Sequence, residues 1–335
     1  MQSLRNAVVV VTGASSGIGR ATALGFARRG ARVVLAARRA LPLEEAARQC
    51  RDVGAAAAAA VPTDVAEEAA VAALAAAALE DHGRIDVWVN NVGIGVFGPF
   101  QDAPVALHRR VIEANLIGTL HGAAAALPAF LRQARGVLIN MASMGAWSPT
   151  PFAAAYAASK FGIRGLSASL RGELADRPGI RVCAVFPALV DTPGLAHAAN
   201  VSGRAINPSG PFLSAEAVAA VMVRLAERPR DEVAVGWPAT AARIAYALSP
   251  SLTERAVGAA MRGALRRARP APRTEGAVMA PVPEGTGISG GWRERQGRGG
   301  GAAGAPVGPL GLALGGVGLL LGAEALVRRR RARWA

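Results

Sequence analysis

Lysine is almost absent from this chain: of 38 basic residues among 335, Lys160 is the only one that is not arginine. Tyrosine is nearly as scarce, with two copies, and all aromatic residues together make up 4% of the sequence. The core therefore cannot be built from large rings and must come from many close Ala and Val contacts, as in a layered α/β protein. Only two cysteines occur, Cys50 and Cys183, too few and too far apart for a disulfide framework or a cysteine metal site. No metal is expected.

Acids are outnumbered, giving a net charge of +15. The excess is concentrated late in the chain, where residues 261–335 hold thirteen Arg against four Glu. Earlier basic residues are scattered and seldom interleaved with aromatics, which argues for a solvated surface and against a nucleic-acid partner. The N-terminus reaches a turn motif too early for a secretory signal, so the main domain is expected in the cytoplasm.

Apolar, β-branched runs at 7–12, 31–37, 84–90, 136–143, 180–186 and 232–236 alternate with helical stretches. The alanine-rich run at 55–65 supplies another strand, because the unit before Val87 otherwise lacks one. This alternation predicts a doubly wound parallel sheet of Rossmann type with helices on both faces. The expected organisation is a catalytic domain over 1–240, a helical extension over 241–269, a flexible Gly- and Pro-rich linker over 270–306, and an apolar segment with an Arg-rich end over 307–335.

"VVVVTGASSGIGRATA" puts Gly13, Gly17 and Gly19 between a strand and a helix. Glycines there let the backbone approach a pyrophosphate, whose charge the helix N-terminus stabilises. The second strand ends in "LAARRA". Ala37 stands where an NAD enzyme would place an acid, and Arg38 and Arg39 follow, so a 2′-phosphate is accepted rather than repelled and NADP is the expected cofactor.

Tyr156 and Lys160 are four residues apart in a helix expected to begin near Pro151, which puts them on one face. A phenol titrates near pH 10, and lowering it by about 3 units takes about 4 kcal/mol. A cation about 4 Å away supplies about that much at an effective dielectric near 20. Lys160 is thus expected to make Tyr156 a usable acid and base, which accounts for the one lysine.

"TGASSGIG" at 12–19, "NNVG" at 90–93, Asn115 in "EANLIG", Ser143 in "NMASMG" and "YAASK" at 156–160 together resemble the short-chain dehydrogenase/reductase family over about residues 5 to 240. The resemblance implies hydride transfer with Tyr156 as proton donor or acceptor, Ser143 on the substrate carbonyl, Lys160 lowering the tyrosine pKa and binding the nicotinamide ribose, and Asn115 holding a water. It also implies cofactor contacts from Gly13, Ser15, Ser16, Gly17, Ile18 and Gly19 in the turn, from Asp64 and Val65 at the adenine, from Asn91 and Gly93 at its ribose, and from Pro187 and Thr192 at the nicotinamide. Val92 and Ala188 depart from the usual Ala and Gly without removing a reacting group.

The region 189–213 is small and apolar, with Asp191, His197 and Arg204 as polar candidates, and reads as a lid for a lipophilic carbonyl or alcohol. A homodimer or homotetramer is expected through helices near 116–130 and 156–174. Alternatives are an isomerase or dehydratase using the same tyrosine, or a silent NADP-binding regulator. The stretch 310–327 is long enough to approach a bilayer core, and with its arginines it suggests contact with the inner membrane surface.

Overall fold

The computed structural model describes residues 3–298 apart from Ser209. The apolar segment at 307–335 and the end of the expected linker lie outside the described residues.

Seven strands form one parallel sheet: β1 (Val8–Thr12), β2 (Arg32–Ala37), β3 (Ala57–Pro62), β4 (Val87–Asn90), β5 (Gly136–Met141), β6 (Ile180–Pro187) and β7 (Glu232–Val235). Their order is β7-β6-β5-β4-β1-β2-β3. All seven fall where apolar runs were read, including the alanine-rich β3, which pairs with β2 from Arg32↔Ala57 to Ala37↔Pro62.

β1 is buried on both faces, and the two-residue period of a strand sends its valines to different cores. Val9 and Val11 pack with α1 (Gly17–Ala27), α2 (Ala40–Asp52) and α7 (Ala215–Glu227). Val10 packs on the opposite side with α3 (Glu68–His82) and α5 (Gly118–Gln133). Small residues make these approaches possible: α1 and α7 bring Ala23, Ala27, Ala219 and Ala226 into the shared core.

α4 (Val105–Ile112) runs into α5 through a wide π-type turn at Glu113–Ile117 that contains Asn115. Such widened turns are often found at functional sites. The combined run Val105–Gln133 is long and apolar enough to cross a bilayer by length and composition, and half of its most apolar stretch is buried in the domain. α6 (Ala154–Glu173) carries Tyr156 and Lys160. Beyond β7 come α8 (Trp237–Leu248) and α9 (Pro250–Arg267), and a boundary at residue 240 would cut α8.

The strand order reverses between β1 and β4, which opens a crevice at the carboxyl ends of the sheet. A polar network braces the strands beneath it. Asn90 Nδ2 donates to Asn140 Oδ1 at 3.0 Å, Asn140 Nδ2 donates to Ser167 Oγ at 3.0 Å, and Trp88 Nε1 donates to Asn90 Oδ1 at 2.9 Å. Buried amides of this kind hold only when each is partnered.

One expectation is overturned here. Residues 270–292 are not a free linker, because they pack back on the domain. Thr274 and Asn200 exchange backbone hydrogen bonds at 2.7 and 2.9 Å, Val278 is fully buried, and Trp292 begins a short helix, α10 (Trp292–Arg298), with its ring 8% exposed. The physical reason is that a Gly- and Pro-rich segment can satisfy its backbone groups against the domain residue by residue, with no regular element of its own.

Gly122 tests the polar network. A β-carbon there would press on Asn90 Oδ1 and Trp88 Nε1. Gly122→Ala is therefore expected to destabilise the protein by about 1–3 kcal/mol, read as a lower melting temperature in calorimetry.

Candidate active site

The crevice is a cavity of about 710 Å³ running from Arg38 and Asp64 at one end, past the glycine turn, to Tyr156 and on to Met261 and Leu265 of α9. At the turn, Gly13 (φ +66°) and Gly17 (φ +54°) adopt the left-handed conformation that suits glycine. Asn91 pins this turn: its backbone N–H donates to Thr12 Oγ1 at 3.0 Å, and its Nδ2 donates to the carbonyls of Thr12 and Gly13. Ser15, Ser16, Ile18, Gly93, Val65, Pro187 and Thr192 all line the same cavity. Gly19 does not line it. A β-carbon at Gly19 would strike the Gly13 carbonyl, so its role is to let α1 approach the strand.

Tyr156, Ser143 and Lys160 meet at the inner end. Ser143 sits just past the end of β5, where its Oγ accepts from Gly145 N at 3.1 Å and its side chain hydrogen-bonds that of Tyr156. Lys160 is 2% exposed; its Nζ donates to the Met141 carbonyl at 2.9 Å and lies 5.7 Å from the centre of the Tyr156 ring. Asn115 lies behind them. Its Oδ1 accepts from Ile94 N at 2.9 Å, and its Nδ2 donates to Ile94 O at 2.9 Å and Ser159 Oγ at 3.0 Å. The side chain of Asn115 thus fixes the loop beside Lys160.

The electrostatics differ from the sequence-based expectation. Burial pulls Lys160 down from 10.5 to about 7. Burial also pushes the Tyr156 phenol above its ordinary value, with the Ser143 hydrogen bond opposing. Coulombic help from one cation does not dominate in this dry setting, because desolvation penalises the charged forms of both groups.

Arg38 and Arg39 border the cavity, and both are engaged by the returning C-terminal segment. Arg38 Nη2 donates to Ala277 O at 2.7 Å, while Arg39 Nη1 donates to Val282 O and Glu284 O, each at 2.9 Å. Asp64 pairs with Arg110 and accepts from Ala66 N at 3.0 Å, so Arg110 joins this end although nothing near it in sequence marked it. His197 lines the cavity, Arg204 ties its loop to Ala268 at 3.2 Å, and Asp191 faces the C-terminal segment rather than the cavity.

The short chain dehydrogenase family model matches residues 7–201. The chain belongs to that family. The oxidoreductase YxnA of Bacillus subtilis is 34% identical over 282 residues, covering 83% of this chain and 79% of the relative. 3β-Hydroxysteroid dehydrogenase 1 of Eggerthella lenta is 42% identical over 194 residues, 57% of this chain and 73% of that one. Among solved structures, a metagenomic short-chain oxidoreductase in complex with NADP is 34% identical with a TM-score of 0.60, covering 70% of this chain and 98% of that chain. This short-chain dehydrogenase is therefore an oxidoreductase by family, and the match to YxnA extends well past the family model.

The Lys160 shift has a stability consequence. A lysine whose pKa falls to about 7 on folding weighs most against the folded state below pH 7, where a charged ammonium must be buried. Stability should recover as pH rises from about 7 towards 10.5. Relative to Lys160→Met, the wild type should gain about 2 kcal/mol between pH 7 and pH 9 in denaturant titrations. An unchanged gap between the two proteins would contradict it.

Proposed function

We propose that this short-chain dehydrogenase interconverts a lipophilic ketone or aldehyde and its alcohol with NADP(H), using Tyr156 for proton transfer. The observation that carries the reading is the convergence of Tyr156, Ser143 and Lys160 on one cavity that also holds the glycine turn. The residues fit a dinucleotide: the left-handed turn at Gly13 leaves room beside the N-terminus of α1, and Arg38, Arg39 and Arg110 gather positive charge at the far end.

Bound NADPH would supply the hydride that the carbonyl carbon takes up. Tyr156 Oη delivers a proton to the carbonyl oxygen in reduction and removes it in oxidation, while Ser143 Oγ orients the same oxygen. Lys160 Nζ, held by the Met141 carbonyl, is the cation nearest the phenol, and its charge state near neutral pH tunes that transfer. The substrate end is walled by Met144, Leu189, Ile206, Met261 and Leu265, a lining that favours apolar substrates. Leu120 and Leu131 project from α5 and suit pairing between subunits.

Incubation with NADPH and a panel of apolar ketones should give absorbance loss at the nicotinamide band. Tyr156→Phe should lower kcat by at least a hundredfold while cofactor affinity stays within a few fold. Turnover retained by that variant would remove the mechanism, and substrate conversion without nicotinamide oxidation would favour an isomerase or dehydratase.

A further inference from the structure

The C-terminal segment touches the dinucleotide crevice at several points. Ala277 O takes Arg38 and the carbonyls of Val282, Glu284 and Gly285 take Arg39, all at the end of β2. Thr286 O accepts from Arg20 at 2.7 Å, and Gly287 O accepts from the backbone N–H of Gly17 at 3.0 Å, at the mouth of the glycine turn. Further on, Asp191 alone receives four donors: Ser289 Oγ at 2.9 Å, Gly290 N at 3.0 Å, Trp292 N at 2.9 Å and Arg293 N at 3.4 Å. Trp292 Nε1 donates to Thr192 O at 3.2 Å.

The seating is close enough to demand glycine. A β-carbon at Gly285 (φ +66°) would strike the His197 ring, and one at Gly290 would strike the Thr192 carbonyl. Yet the segment does not fill the crevice. Ala277, Pro281 and Val282 are part of the cavity wall, and the space beneath them still reaches Gly13, Ser15, Arg38 and Asp64. It is a roof over an open cleft.

Resting on the NADP(H) reading, we propose that residues 281–292 are a latched lid over the cofactor cleft, with Asp191 as the latch, and that the dinucleotide enters and leaves when this lid lifts. The arrangement has a fixed side and a releasable side. The fixed side is Val278, fully buried against Val96, Leu107 and Val111. The releasable side is joined by hydrogen bonds, which water can replace when the lid swings out, and by two apolar contacts that lifting must break, Ile288 on the main core and Trp292 stacked on Phe212. Asp191 is a positioning residue. It touches the lid, and it governs how long the cofactor stays. A carboxylate suits this task because it accepts from several donors at once, and those donors hold its own pKa below the ordinary value against the opposing effect of burial.

The test uses the full-length protein with NADPH as probe. Dissociation is followed by stopped-flow nucleotide fluorescence after mixing with excess NADP, in wild type and Asp191→Asn, beside an equilibrium titration. The expected result is NADPH release at least tenfold faster in the variant, with a cooperative melt showing that it is folded. A release rate less than tenfold above wild type in the folded variant would overturn the lid. Should the variant not fold, amide hydrogen exchange of 281–292 in the wild type decides: slower exchange with NADPH bound supports the lid, and unchanged or faster exchange overturns it. A wild type that binds no NADPH in the equilibrium titration removes the cofactor reading itself, and the lid with it.

Discussion

The site depends on one buried cation. Lys160 has left water almost completely, and its ammonium finds a single hydrogen-bond acceptor in the described structure, the carbonyl of Met141 at the end of β5. Burying an amine this way is costly in its charged form, and the cost appears as a pKa brought down to about 7. Everything nearby is arranged around holding that group still. The end of β5 presents the carbonyl, and α6 presents the amine one turn from Tyr156. A guanidinium could not take this place, since it stays charged and its donors fan out in a plane. In a chain that otherwise uses arginine throughout, this is a position where the difference between the two cations matters.

The other end of the cleft shows how a single feature can serve two purposes. The two arginines that follow β2 lie where they can meet a phosphate, and they also anchor the C-terminal segment through its carbonyls. Arg39 gives three hydrogen bonds to that segment, so its orientation is set by the lid, whereas Arg38 gives one. The same two side chains therefore border the cleft and hold the segment that roofs it.

Most of the fold was legible because its signals are local. β-Branched runs marked six strands, and the seventh, the alanine-rich β3, followed from the need to complete a β-α-β unit. Tyr156 and Lys160 were readable as a pair because helix geometry alone brings them together. The seating of 270–292 was not legible, since a segment without periodicity docks through long-range hydrogen bonds that leave no pattern in its own sequence. Trp292 was the available signal: a large ring inside a Gly-rich stretch needs somewhere to be buried. Asp191 looked like a substrate contact because its partners lie about a hundred residues away. The pKa directions were missed for a different reason: charge proximity can be estimated from spacing, but desolvation depends on the whole packed surround.

The lone lysine makes the central claim directly measurable. Protein labelled with carbon-13 at the lysine ε position gives one lysine resonance, and its chemical shift across pH reports the titration of Lys160 alone. A midpoint near pH 7 in the free protein is the result this account predicts. A midpoint near 10, the value of a solvated lysine, would contradict it.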